Sequence, residues 1–366
     1  MNTISAGDFA SRREEIPADF VAANELLEEN GWTDGLPVIP PTESLVETML
    51  SYSSAAPSDV LGRMQPGNAT VTAEKVAANA VMAGCRPEYF PVVLAAVRAI
   101  LRPQFHVGST SCTTGGAAPV VIVSGPIAAK LKINSADSCF AGSFRANATI
   151  GRALRLTMRN LGGAKPGGQD KSTQAWPGKM TFCFAENEAR NPWEPLRVTQ
   201  GFPANVSTVT VLAVRGVYPV CEGTQDTGLG VLQTLAASMR VVGSPIYNQT
   251  GWNDTPVLLV LGPEHAAEIA KAGFSKAHAQ LYLHEHARMP VRDLINRVYY
   301  GTERWPPWID VNDPNATVPI VVRATDFMIV IAGGDGRHSA WMPAWHECQG
   351  ATEMIEDAPA SARKVG

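Results

Sequence analysis

The sequence predicts an α/β fold made of an internally duplicated αβ unit, two pseudo-twofold-related halves with a cleft between them. Two repeated phrases carry this expectation. Ala118-Pro119-Val120-Val121-Ile122-Val123-Ser124-Gly125-Pro126 returns as Thr255-Pro256-Val257-Leu258-Leu259-Val260-Leu261-Gly262-Pro263, at an offset of 137 residues. Met180-Thr181-Phe182-Cys183-Phe184, continuing through Arg190 and Pro195, runs parallel to Met328-Ile329-Val330-Ile331-Ala332, continuing through Arg337 and Pro343, at an offset of 147 to 148. Two matches in one order at nearly one spacing point to a copied supersecondary unit. The boundaries drawn on this basis are an N-terminal arm over 1–33, a first half over 34–200, a second half over 201–347 and a polar C-terminal tail over 348–366.

Taken in order, the arm carries a short helix around Ala18 to Glu29, closed by Asn30-Gly31. Asp34-Gly35-Leu36-Pro37-Val38-Ile39-Pro40-Pro41 is stiffened by its prolines and serves as a connector, or puts Asp34 into a site. Thr72 caps a helix that ends at Gly84, and Cys85-Arg86-Pro87-Glu88 joins it to a second helix with Pro87 at its start. His106 to Pro119, rich in Gly, Ser and Thr, is expected to be a loop before the first repeated strand. Ser143 is expected to cap a long helix to Asn160, with Arg152, Arg155 and Arg159 as a solvated or subunit-contact row on one side. Residues 162–178 read as a lid-like loop.

In the second half, strands are expected at Val206 to Val214, at Val257 and at Asp326 to Ile331. Helices are expected from Thr227 to Val242 and, capped by Ser275, to about Arg288. Gly333-Gly334-Asp335-Gly336-Arg337-His338-Ser339 forms a glycine-dense turn, and the tail is expected to lose order past Asp357.

Composition narrows the functional classes. A chain of 366 residues with 45% hydrophobic and 17% charged residues can bury a large interior. A formal net charge of −4 argues against nucleic acid and against an anionic membrane as main partner. No apolar leader or run of about 18 apolar residues appears, so a cytosolic location is expected. Cys85, Cys112, Cys139, Cys183, Cys221 and Cys348 form no C-x-x-C pair, which removes zinc-ribbon and thioredoxin-type motifs. No nucleotide or flavin fingerprint stands out, and the sequence identifies no cofactor.

The leading functional expectation is an enzyme of hydrolase or lyase type acting on a small polar, carboxylate-bearing substrate. Its catalytic candidates are Cys112 or Cys139 as thiolate, with Glu186 and His338 moving protons. Small hydroxyl residues and paired glycines near Cys112 let backbone N–H groups approach an anion, and such donors favour a thiolate. Arg145 sits in the first turn of a helix, where a cation is unfavourable unless an anion is near. Arg86, Thr113, Arg145, Asn187 and Arg337 are therefore the substrate-binding candidates. Glu186 and Asn187 draw weight from their place beyond a strand's carboxyl end, where open α/β sheets bind ligands. One alternative is a metal-dependent enzyme using His338, His346, Glu347 and Cys348, with His284 as a further ligand. Another is a non-catalytic subunit whose loops serve a partner chain. In either case the chain is expected to work as a homo- or hetero-oligomer. Asp34-Gly35-Leu36-Pro37 and Arg145-Ala146-Asn147-Ala148-Thr149-Ile150-Gly151-Arg152 have a bacterial look without pointing to a characterised activity.

Overall fold

The computed structural model describes residues 9–241, 255–295, 305, 309–345 and 348–359. Its first elements are α-helices α1 (Phe20–Glu29), started by the Asp19 carboxylate on the Ala22 N–H, and α2 (Glu43–Leu50). A hairpin follows, β1 (Val60–Met64) with β2 (Ala69–Thr72), unforeseen from the sequence. Thr72 then caps α3 (Ala73–Met82) through the Lys75 N–H, and Pro87 opens a short turn into α4 (Phe90–Leu101). Ten of the twelve residues of α4 are buried, so it forms the hydrophobic middle of its layer rather than a surface helix.

The expected loop after His106 is partly a helix, α5 (Val107–Cys112), which ends at Thr113. Next come β3 (Ala118–Ser124), α6 (Pro126–Lys130) and α7 (Arg145–Asn160). The N-cap of α7 is Phe144, with no side-chain cap, where the sequence suggested Ser143. Its Gly151 lies against the Thr181 hydroxyl and the Phe182 N–H, 2.5 and 2.7 Å from where a Cβ would stand. Only glycine lets α7 settle this close to the next strand, β4 (Cys183–Ala185).

After α8 (Leu196–Thr199) the chain forms β5 (Thr208–Val214), β6 (Tyr218–Cys221), α9 (Gly228–Ser238) and β7 (Val257–Leu261). Helices α10 (Pro263–Lys271) and α11 (Lys276–His286) lead to the small pair β8 (Arg288–Pro290) and β9 (Thr317–Pro319), with α12 (Val291–Leu294) between them. The described chain ends in β10 (Phe327–Ile331), β11 (His338–Pro343) and β12 (Ala351–Met354).

Two four-stranded sheets organise these elements, in the orders β4-β3-β5-β12 and β10-β7-β11-β6. In each sheet the first pair is parallel and the next two are antiparallel, so both share one pattern of strand directions. The outer strands are exchanged along the chain. β6 follows β5 after three residues but joins the second sheet, and β12 follows β11 but joins the first. The two crossings meet, because Val214 bridges Ala344 and their neighbours trade main-chain bonds, Arg215 to Pro343 and Trp345 to Ala213.

This topology corrects two sequence boundaries. β5, assigned to the second half beginning at 201, belongs to the first sheet, and the supposed polar tail supplies that sheet's edge strand β12. Length and composition hid β12 because an edge strand needs few apolar residues.

The layers follow from the alternation of side chains along the second sheet. Leu258, Val260, Val330, Ala340 and Met342 join the same core as the first sheet and helices α3, α4 and α7. Val257, Leu259, Leu261, Ile329, Ile331 and Trp341 join a separate core with α9, α10 and α11. The order is thus helices, sheet, sheet, helices. Among the described residues no helix is long and apolar enough to cross a membrane.

Candidate functional site

The carboxyl ends of β4 and β10 come together. The Asn187 N–H donates to the Ile331 carbonyl at 2.7 Å, the Gly333 N–H to the Ser135 carbonyl at 2.8 Å, and Arg190 pairs with Asp335 at 2.9 Å. A Cβ on Gly334 would overlap the Asp137 carboxylate, so this glycine is fixed by the close approach. Glu186 and Asn187 therefore do sit at a meeting of the two sheets, but hydrogen bonds close the junction. Glu186 is 4% exposed, and its carboxylate accepts from Ser124 Oγ at 2.7 Å, Asn191 Nδ2 at 2.9 Å and the Leu196 N–H at 2.9 Å. Burial raises its pKa against these hydrogen bonds.

Arg337 and His338 lie farther along the turn. Arg337 donates through Nε to the Glu222 carbonyl at 3.1 Å, and its guanidinium also meets the Gln225 carbonyl. His338 is exposed, with Nδ1 2.6 Å from the Gly336 carbonyl. The buried histidine of this region is His265, which the sequence did not nominate. Its Nε2 faces the Glu222 carbonyl at 3.0 Å and must carry the proton there, so Nδ1 accepts from Ser339 Oγ at 2.7 Å. Burial keeps His265 below its ordinary pKa, consistent with a neutral ring that ties α10 to β11.

The loop that carries Cys139 reaches the junction through Asn134, Ser135 and Asp137, whereas Cys112 ends α5 near Asp170. Cys139 is buried in the first core, and burial pushes its thiol up to about 11. Cys112 is half-buried at the end of α5; burial and the nearby Asp170 carboxylate raise its pKa. Both sulfurs are therefore thiols at neutral pH, against the expected thiolate. The loop donors did not decide this, because desolvation and a like charge outweigh them.

Arg145 does meet the joint that holds Arg86, but it contributes its Nε and Nη2 to the Gly84 carbonyl, at 3.2 and 3.1 Å. It closes the end of α3 while its side chain stays exposed. Asn147 organises the facing loop, accepting from the Asn134 N–H at 2.8 Å and donating to the carbonyls of Asn134 and Cys139. Thr113 takes part in a different cluster, since its carbonyl receives Ser172 Oγ at 3.4 Å. The nominated residues thus fall into separate neighbourhoods, of which the β4–β10 junction gathers the most.

A cavity of about 1010 Å³ lies on the far side of the Leu196 segment that hydrogen-bonds Glu186. Its walls are the segment Pro192 to Leu196, the first turns of α11, and the start of β10 from Thr325 to Ile329. Lys276 stands on this wall with Nζ 2.6 Å from the Glu194 carbonyl. Burial lowers its pKa, and Glu186 and Glu194 act in the opposite direction. Among the described residues no carboxylate is within ion-pair distance of it. The sequence held the signal: Lys276 is the first residue of a helix capped by Ser275, where a cation opposes the dipole just as Arg145 does.

The metal-ligand set does not assemble among the described residues, where no group of three or more His, Cys, Asp or Glu side chains is placed to hold an ion. His284 Nε2 faces the Val322 carbonyl at 3.1 Å, Cys348 is buried against the Ala213 N–H, and His346 and Glu347 lie outside the described residues. No family model matches the chain, and no curated protein matches it.

Proposed function

We propose that the protein is an enzyme of lyase or hydrolase type acting on a small carboxylate-bearing molecule, and that this molecule binds in the cavity beside α11. The observation that supports this most is the placement of Lys276 on the wall of a 1010 Å³ cavity, its ammonium held by a carbonyl rather than by a carboxylate. Such a cation still has charge to offer a ligand. An amine whose pKa is lowered by burial also loses its proton more readily than a surface lysine, and then serves as base or as nucleophile toward a carbonyl. Glu186 is coupled to it from behind the wall, and burial raises the Glu186 pKa, the direction a general acid needs. Lys276 takes the place of the cysteines in this proposal, since both thiols are held protonated.

In this reading the two sheets descend from one copied unit, which their shared strand order and the repeated phrases support. The enzyme works in the cytosol as a homo- or hetero-oligomer, without nucleic acid or membrane as partner.

Incubation with pyruvate and sodium cyanoborohydride, followed by peptide mass spectrometry, tests the role of Lys276. Lys276 is expected to form the reduced adduct faster than the exposed Lys171 and Lys271, and to do so at lower pH. Equal labelling of all three lysines would sink the proposal.

A further inference from the structure

We propose that the cationic cluster between α7 and the loop over 165–179 binds a small doubly charged oxyanion, either a phosphate group or a dicarboxylate. The arginine row of α7, expected to face solvent, does not. Arg152 turns to Asp34, bonding its two carboxylate oxygens at 2.8 and 2.7 Å. Arg155 is 9% exposed; its Nε donates to the Lys179 carbonyl at 2.8 Å, and Nη1 finds only the Met158 thioether at 3.6 Å. Arg159, one turn on, has a buried Nε with no hydrogen-bond partner. Lys179 completes the group, with Nζ 2.5 Å from both Asp170 Oδ2 and Ser172 Oγ.

Arg155 and Lys179 thus have Asp170 as their nearby carboxylate, and Arg159 adds a third, half-buried cation beside Arg155, a surplus of two positive charges around one carboxylate. Such a surplus is costly unless an anion joins it. Burial pushes the Arg155 guanidinium down to about 10, as expected of a cation short of partners. The chemistry of the donors names the ligand class. Guanidinium groups present parallel N–H donors that match a carboxylate or phosphate in bidentate fashion, whereas the Ser172 hydroxyl is already donated to Asp170 Oδ1 at 2.6 Å. The charge surplus favours a dianion over a monoanion. Cys112 borders the cluster through Asp170, which gives a reporter thiol beside the site. This inference is independent of the Lys276 cavity, which is lined by other elements.

The test uses the full chain at fixed ionic strength, comparing inorganic phosphate, succinate, acetate and chloride. Thermal unfolding and the rate of Cys112 alkylation by iodoacetamide are read in parallel. Phosphate or succinate is expected to raise Tm in a saturable way and to slow Cys112 alkylation several-fold, with acetate much weaker. Whichever dianion acts at the lower concentration identifies the source. Arg159→Gln is expected to remove both responses, and Lys276→Met to leave both in place. Arg155→Met is a second probe, and should it fail to fold, Arg159→Gln still decides. Phosphate and succinate curves superimposed on chloride would overturn the proposal, as would an undiminished response in Arg159→Gln.

Discussion

Among single residues, the contrast between the thiols is the most direct to measure. Cys221 is exposed, Cys112 half-buried, and Cys85, Cys139, Cys183 and Cys348 are buried, with burial raising Cys85 to about 12 and Cys348 to about 11. Iodoacetamide at neutral pH is therefore expected to label Cys221 first and Cys112 slowly, with the Cys112 rate climbing as pH rises. The buried four are protected until the chain unfolds, and early labelling of Cys139 would refute that order. Asp34 offers a second residue-level prediction. Burial alone would raise its carboxyl, but the bonds from Arg152 hold it below the ordinary value of 3.8. A depressed carboxylate contributes stability that is present above its unfolded pKa and lost as pH falls through the folded one. Asp34→Asn should thus cost about 2 to 3 kcal/mol at pH 7, and the gap to wild type should close in strong acid. Urea unfolding across pH 2 to 7 checks this, with a pH-independent difference counting against it.

For elements, helices with caps and apolar periodicity were legible in the sequence, and strands that pair at a distance were not. Thr72, Ser275 and Thr227 announced α3, α11 and α9 because each hydroxyl meets an N–H within its own first turn. β6 and β12 are only four residues long and show no clear alternation, so only their partners β11 and β5 define them. The site was legible in part for the same reason. Glu186 draws its proposed role from its place after a strand, whereas the surroundings of Lys276 come from Glu186 and Glu194, far along the chain. The arginine row misled because periodicity tells which residues share a face, but not whether loop 165–179 covers it. Contact between α7 and β4 yields a further prediction. Gly151→Ala must push the Thr181 hydroxyl and the Phe182 backbone aside, which should cost about 1 to 3 kcal/mol in thermal or urea unfolding. A neutral result would mean that α7 can slide away from β4.

The whole molecule is tied together by the exchanged strands. Residues 351–354 complete the first sheet, so a chain stopped at 347 should lose stability throughout and not shed a dispensable tail. Calorimetry of the truncated chain should show a markedly lower Tm, and an unchanged one would deny β12 its role. For the intact chain a single cooperative transition is expected, because neither sheet keeps its four strands when the other opens.

The same interlock sets a hazard for refolding. Each outer strand must reach across its own molecule to a partner that a second molecule offers in identical form. At high protein concentration the trade can occur between neighbours, producing twinned particles whose every strand pairing is native. Dilution during refolding is then the condition that keeps each chain closed on itself.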